Sequence, residues 1–291
     1  MRVSVFGLIF KNRLARSTWG NVLLVAFLVL IAGMMFLPFI YTISTAFKPS
    51  NELWLFPPRF FVRHPTLKNF RDLFGLMADS WIPFSRYIFN TILITVSGTV
   101  GHIIIASMCA YPISKYTFPG SAGFFSLVRT TLMFSAAVTS IPSFIIVSRL
   151  HFLDTYFAII IPALGMPLGL FIMKQFMDQT VNMSVLESAE MDGAGEWKKL
   201  FKIVMPMVKP AWLTLGIFCF QSLWNLGSTS YIYTEQLKTL PFALSQLQTA
   251  GIARAGVGAA ASVLIMSVSL IIFIFSQSSI IETMSTSGMK D

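Results

Sequence analysis

Charge is the property that this sequence has least of. Only 11% of its 291 residues are Asp, Glu, Lys or Arg, whereas about 25% of an average soluble chain is charged. This shortage excludes an ordinary soluble globule. A hydrophobic content of 55% excludes a disordered chain, which combines low hydrophobicity with high charge. The formal net charge of +9 would indicate nucleic-acid binding only if the bases clustered on a soluble face. The placement of the few charges therefore decides the class of protein.

The charges lie between long runs that contain none. Six runs of 19 residues or more have no Asp, Glu, Lys or Arg: 17–47, 87–114, 130–148, 155–173, 210–234 and 255–281. A helix rises about 1.5 Å per residue, so roughly 20 apolar residues cross a hydrocarbon core of about 30 Å. Inside lipid, the backbone N–H and C=O groups must be hydrogen-bonded within the protein, as they are in a helix. Strands of a membrane barrel are only about ten residues long, so runs of this length indicate helices. We predict an all-α membrane protein with six transmembrane helices.

The N-terminal residues indicate the orientation. Four bases and no acid precede the first run: Arg2, Lys11, Arg13 and Arg16. Positive charge beside a first span usually stays in the cytoplasm, so both termini are predicted to be cytoplasmic. The apolar part of the first run exceeds the roughly 7–15 residues of a signal peptide's apolar region, and we expect it to be retained. The predicted regions are a basic cytoplasmic N-terminus (1–16), a first span (17–47), an external loop (48–86), a five-span core (87–284) and a cytoplasmic tail (285–291).

Motifs for chemistry are missing as well. The chain has no G-x-x-x-x-G-K-[ST] nucleotide loop, no H-E-x-x-H and no G-x-S-x-G. The cysteines, Cys109 and Cys219, lie within runs and are interpreted as packing residues. His102, also within a run, has no acidic partner in any run and is interpreted in the same way. The sequence thus predicts no catalytic residue, metal site or cofactor-binding residue. A proton- or sodium-coupled carrier usually needs an intramembrane carboxylate, and none of the six runs contains one, so the sequence does not favour such a carrier. A membrane enzyme with an interfacial site, a passive pore, and a passageway driven by another subunit remain open.

The segment between the fourth and fifth runs is the most informative. Within residues 183–206, four acids precede three lysines: Glu187, Glu190, Asp192 and Glu196, then Lys198, Lys199 and Lys202. Apolar residues recur at helical spacing on both sides of Gly193 and Gly195. Glycine accepts the left-handed conformation that ends many helices. The pattern predicts a short helix, a glycine turn and a second helix leading to Pro206.

This segment resembles the cytoplasmic signature of membrane subunits in binding-protein-dependent ABC importers. That signature is E-A-A-x-x-x-G, nine residues, then I-x-L-P. Here it reads Glu187-Ser188-Ala189, Gly193, and Ile203-Val204-Met205-Pro206, with Ser188 and Met205 as departures. The run 189–194 is similar to the form found in the carbohydrate-importer branch. The tail 287–290 resembles that of maltose-permease-like subunits.

The resemblance implies a permease subunit that forms half of a pathway for a sugar or oligosaccharide. It implies a second homologous permease subunit, an ATPase dimer that binds ATP and Mg, and an extracytoplasmic solute-binding protein. The resemblance places the chain in a bacterial or archaeal cell membrane, where it contacts the lipid bilayer. It implies no nucleic-acid partner. Between spans 4 and 5, a cytoplasmic coupling helix would contact the ATPase through Glu187, Ala189, Asp192, Gly193, Ile203 and Pro206. Importers of amino acids, peptides or osmolytes are the alternative in this class. A passive channel or secondary carrier is the alternative from another class.

Candidate substrate contacts are polar or aromatic residues inside the runs. Hydroxyl-matching polar groups and aromatic faces are the usual ligands of sugars. The candidates are Asn90, Gln221, Trp224, Asn225 and Tyr231. Each of them fits an interhelical hydrogen bond or a packing role equally well.

Overall fold

The computed structural model describes residues 18–78, 82–227, 229–248 and 254–287. All regular secondary structure in these ranges is helical, which confirms the all-α part of the predicted fold class. The predicted N-terminal region 1–16 lies outside the described residues, as do residues 288–291 of the predicted tail.

The helices form one series along the chain. Their bounds are α1 (Thr18–Ala46), α2 (Ser50–Leu53), α3 (Lys68–Ala78), α4 (Phe84–Lys115), α5 (Ser121–Thr131), α6 (Ala136–Arg149), α7 (Phe157–Leu164), α8 (Pro167–Thr180), α9 (Met183–Met191), α10 (Glu196–Lys198), α11 (Met205–Met207), α12 (Lys209–Trp224), α13 (Leu240–Gln248) and α14 (Ala255–Ser287). A π-helical turn (Lys199–Val204) joins α10 to α11, and a short 3₁₀ helix (Glu235–Leu237) precedes α13. The predicted external loop 48–86 therefore contains α2, α3 and the start of α4.

Four stretches of the described chain are long and apolar enough to cross a membrane: Trp19–Ala46, Phe84–Lys115, Phe157–Thr180 and Ala255–Gln277. A fifth stretch passes the same criteria only as a pair, Glu196–Met207 with Lys209–Trp224, which is bent by 83°. These stretches overlap four of the six predicted runs and the helical part of a fifth, and the six-span count stays a prediction.

Two predicted runs are less helical than hydropathy indicates. In the run 130–148, the 14-residue α6 is the main helix, and at 1.5 Å per residue it reaches only about 21 Å. It starts after Ser135, whose extended backbone separates it from α5. In the run 210–234, the helix ends at Trp224. Apolar composition allows a helix but does not prevent a break where a backbone turn intervenes.

Helix α4 lies at the centre of the bundle and packs against α7, α8 and α12. One buried apolar cluster joins its C-terminal half to α8, α9 and the start of α12, through residues such as Ala110, Met177, Leu186 and Leu215. Gly169 allows the close approach of α8 to α4, because a Cβ there would collide with Nε2 of His102. Small residues at such contacts are characteristic of membrane helix packing.

Helix α1 lies at the edge of the fold and packs against α14. None of the most apolar part of α1 is buried within the chain. Its exposed side chains are consistent with a lipid-facing span.

A carboxylate joins two loops at the end of the bundle where α4 begins. Asp154 accepts hydrogen bonds from the backbone N–H groups of Tyr233 (2.9 Å) and Thr234 (2.8 Å) and from the Thr234 hydroxyl (2.5 Å). These bonds, the one from the Thr234 hydroxyl above all, lower the pKa of Asp154. Asp154 thereby holds the loop before α7 against the chain that follows α12.

Candidate coupling segment and substrate groove

The segment 183–206 contains the predicted helix, glycine turn and second helix. Helix α9 ends in a Schellman motif: the N–H of Gly193 donates to the Glu190 carbonyl (2.9 Å) and the N–H of Ala194 to the Ala189 carbonyl (2.9 Å). Gly193 has a φ of 74°, a conformation that costs other residues about 1–2 kcal/mol. The turn therefore depends on glycine at this position.

The second helix is distorted. It begins after Gly195 as α10 and continues through the π-helical turn to α11. Trp197 and Phe201 stack along it, with ring centroids 5.9 Å apart. At its end, the indole N–H of Trp212 donates to the Met205 carbonyl (3.1 Å) across the bend into α12. Single π-helical turns occur frequently at functional sites.

Lys199 is the buried centre of a polar network in this segment. Its side chain is 2% exposed, and its Nζ lies 2.9 Å from Glu190 Oε2 and 2.9 Å from Glu196 Oε1. Glu196 Oε2 accepts hydrogen bonds from Tyr111 (3.0 Å) and Tyr116 (2.7 Å) at the end of α4. Desolvation raises the pKa of Tyr116, so its hydroxyl remains a donor at neutral pH. The network connects α9, the second helix and α4.

The network divides the four acids of this segment into two pairs. Glu190 and Glu196 are bound to Lys199, whereas Glu187 and Asp192 are exposed and form no ion pair with any described residue. Met191, beside Asp192, is 88% exposed. The sequence showed the acids and lysines but not which lysine is buried between two of the acids. It also gave no sign of the bond from Tyr111 to Glu196, because these residues are 85 positions apart.

The other predicted coupling residues have different environments. Gly193 and Pro206 are exposed, Ile203 is half-buried, and Ala189 is buried. Glu187, Asp192, Gly193 and Pro206 are therefore accessible to a partner, while Ala189 supports the helix from inside.

Three of the five candidate substrate residues contact distant parts of the fold, and a fourth, Asn225, donates only to the Gln221 carbonyl of the adjoining helix α12 (2.8 Å). The buried amide of Asn90 donates to the carbonyls of Gln236 (2.8 Å) and Lys238 (2.9 Å) and accepts from the Tyr156 hydroxyl (2.8 Å). All of its polar atoms are thus engaged in joining α4 to distant segments.

The two aromatic candidates also pack within the fold. Trp224 is buried, donates its indole N–H to the Ile265 carbonyl (3.2 Å) and stacks on Phe220. Tyr231 stacks against Phe144, with ring centroids 6.0 Å apart. These contacts are those of helix and loop packing.

Gln221 and Asn225 lie together in a groove of about 420 Å³ between α1, α12 and α14. The groove is also lined by hydroxyl and apolar side chains: Phe39, Ser262, Ile265, Met266, Ser269, Leu270 and Phe273. The buried Ser269 hydroxyl has no hydrogen-bond partner among the described residues. We refer to this cavity as the amide groove. Amides, hydroxyls and aromatic rings are groups that recognise sugars.

No cluster of three or more His, Cys, Asp or Glu residues able to hold a metal occurs in the part of the chain that the structure describes.

The sequence model of the binding-protein-dependent transport system inner membrane component matches residues 102–282. The chain belongs to this family. It is a membrane-spanning, non-catalytic permease component, and the resemblance carried by residues 183–206 is confirmed.

Relatives and a solved structure agree with this membership. A polygalacturonan/rhamnogalacturonan transport system permease protein of Bacillus subtilis (strain 168) is 32% identical over 235 residues, covering 79% of this chain and 76% of the relative. An arabinooligosaccharides transport system permease protein of Halalkalibacterium halodurans is 28% identical over 268 residues, covering 89% of this chain and 93% of the relative.

The fold is also that of one chain in the crystal structure of a bacterial ABC transporter involved in the import of the acidic polysaccharide alginate. The TM-score is 0.77 at 23% identity, and the match covers 92% of this chain and 98% of that chain.

Proposed function

We propose that this permease forms half of the translocation pathway of an ATP-driven importer. A second homologous permease subunit supplies the other half, two ATPase subunits supply the energy, and an external solute-binding protein delivers the substrate. Family membership supports this assembly, and the absence of a nucleotide loop from the sequence is consistent with energy from another chain.

The proposed topology has six spans with both termini in the cytoplasm. The charge-free runs and the four N-terminal bases support it. In this arrangement α5 and α6 together make the third crossing, and residues 183–206 face the cytoplasm.

We propose that α9 is the coupling helix that inserts into the ATPase. The observation that carries this assignment is the exposure of Glu187 and Asp192 while the other two acids of the segment are bound to Lys199. Two free carboxylates next to the exposed Met191 present a rigid acidic and apolar surface to a basic partner. Charges at such an interface set partner choice and association rate.

Charge reversal tests this assignment. The variant Glu187→Lys with Asp192→Lys should insert in the membrane normally but lose co-purification with the ATPase and substrate-stimulated ATP hydrolysis. The control is Asp72→Lys, an exposed acid on α3, which lies on the external side in the proposed topology. Equal ATPase association by both variants would contradict the coupling assignment.

We propose a sugar or oligosaccharide as the substrate. The relatives named above are transport system permeases for polygalacturonan/rhamnogalacturonan and for arabinooligosaccharides, and Gln221 and Asn225 in the amide groove offer the hydrogen bonds that sugar hydroxyls need. Of the five candidate contacts, these two are the ones we assign to the pathway.

The test is uptake by the purified complex in vesicles, with binding proteins loaded from a panel of sugars, amino acids, peptides and osmolytes. Sugar-dependent ATP hydrolysis is expected. Gln221→Ala and Asn225→Ala should weaken it more than Ser222→Ala, an exposed neighbour outside the groove. Stimulation by an amino acid, peptide or osmolyte alone would replace the sugar assignment.

A further inference from the structure

Two cations from distant parts of the sequence meet at one aromatic ring. Arg129, on α5, immediately precedes the third charge-free run, and Lys174, on α8, immediately follows the fourth. In the structure, the Arg129 guanidinium lies 5.6 Å and the Lys174 Nζ 4.6 Å from the centroid of the Phe125 ring. Phe125 itself stacks on Phe171, with ring planes 1° apart. We call these four residues the basic aromatic cluster.

The charges of this cluster are only partly balanced. Lys174 pairs with Asp178 at 2.5 Å, and Asp178 also accepts a hydrogen bond from Ser114 at 2.7 Å. Arg129 is exposed and makes no ion pair with any described residue. One positive charge therefore remains uncompensated at the edge of an apolar run. An Arg beside an apolar run extends toward the membrane interface and pairs with an anion where one is available.

An apolar groove adjoins the cluster on the same helix. Its volume is about 280 Å³, and it lies between α4, α5 and the junction of α7 with α8. Phe124, Leu127 and Val128 of α5 line it, and Phe124 and Val128 immediately precede Phe125 and Arg129 in the chain. Ile105 and Leu170 face them from α4 and α8. The surface thus offers positive charge at one place and an apolar trough beside it.

We propose that the basic aromatic cluster and this groove bind an anionic phospholipid. The phosphate contacts Arg129 and the Nζ of Lys174, and an acyl chain lies in the groove. A phosphate accepts charge-assisted hydrogen bonds from Arg in a fork geometry, and each base near an anionic lipid surface contributes to binding. The choice of a lipid over a soluble anion rests on the position of both cations at the ends of charge-free runs and on the groove beside them. The assignment of this site to the cytoplasmic leaflet depends on the proposed topology, whereas the existence of the site does not.

The experiment uses the complex purified through this chain in detergent. Its lipid binding is measured by native mass spectrometry and by the thermal midpoint with added phosphatidylglycerol or phosphatidylcholine of identical acyl chains. We expect phosphatidylglycerol to raise the midpoint more than phosphatidylcholine does. Arg129→Gln should reduce the affinity for phosphatidylglycerol about fivefold and remove most of this difference. The double variant with Lys174→Gln should abolish it.

Two controls make the result decisive. Arg149→Gln removes another exposed Arg at the end of an apolar helix and should retain the full effect of phosphatidylglycerol. Inorganic phosphate and oligogalacturonate should not raise the midpoint. An equal effect of both lipids, an equal loss in Arg149→Gln, or stabilisation by either soluble anion would overturn the lipid assignment. The last result would indicate a phosphate or acidic-sugar site. Because no ATP or substrate is needed, failure here leaves the proposed transport function untouched.

Discussion

Replacement of Lys199 by Met tests whether the polar network makes the coupling segment one rigid unit with α4. Met keeps an unbranched apolar side chain of similar length at the buried position and removes the ammonium group. Glu190 and Glu196 then lose their shared partner, while Glu196 keeps its hydrogen bonds from Tyr111 and Tyr116. The connection between α9 and the second helix is the part that is broken.

The magnitude follows from the exposure of the two carboxylates. Removing one partner of a fully buried ion pair costs about 3–5 kcal/mol. Here the side chains of Glu190 and Glu196 are 71% and 57% exposed, so water solvates them when the lysine is gone. Each pair is then worth at most about 1 kcal/mol. We expect a loss of about 1–2 kcal/mol, enough to loosen the segment without unfolding the bundle.

The assay is substrate-stimulated ATP hydrolysis together with transport by the reconstituted complex. Lys199→Met should lower the number of substrate molecules transported per ATP, because movement of a loosened α9 is passed on less completely to α4. Lys198→Met is the matched control, since Lys198 is exposed and makes no ion pair with a described residue. If both variants couple equally well and melt at the same temperature, the network does not brace the segment.

Three further substitutions have defined outcomes. Gly193→Ala should destabilise α9 by about 1–2 kcal/mol through its left-handed backbone and reduce coupled ATP hydrolysis, whereas Gly193→Asn should recover much of it, because Asn tolerates that conformation. Gly169→Ala should lower the melting temperature of the complex, because its methyl group would collide with His102, while Gly165→Ala, whose nearest neighbour would be 3.8 Å away, should be close to neutral. Asp154→Asn should melt earlier at neutral pH. Because the pKa of Asp154 is lowered in the folded state, its stabilisation is fully present above the unfolded pKa of about 3.9 and is lost as the pH falls through the folded pKa. The melting temperatures of wild type and variant should therefore converge as the pH falls. An undiminished difference at pH 3 would contradict this role.

Local patterns in the sequence sufficed for the helical class and for the turn at Gly193. Hydropathy runs report which segments tolerate lipid, and the Gly193 turn depends on the conformational freedom of one residue. Hydropathy alone was less reliable for helix length, since the breaks at Ser135 and after Trp224 fall inside charge-free runs.

The candidate substrate residues also show that local sequence patterns do not predict which side chains remain free to bind a ligand. Asn90 and Gln221 are both polar residues in apolar runs and look equivalent in the sequence. The structure uses every polar atom of the Asn90 side chain internally and places Gln221 in the amide groove. That distinction depends on segments about 146 positions away from Asn90, which no local pattern encodes.

By itself, then, the sequence determined an α-helical membrane chain, its family signature and a glycine-dependent turn between two short helices. These features depend on composition and on spacing along one segment. Only the tertiary structure decided that Lys199 binds Glu190 and Glu196, that Glu187 and Asp192 remain free, and that Arg129 and Lys174 meet at Phe125. The physical reason is that electrostatic and hydrogen-bond partners are chosen by distances of a few ångströms in space, and the packing of the helices against one another sets those distances.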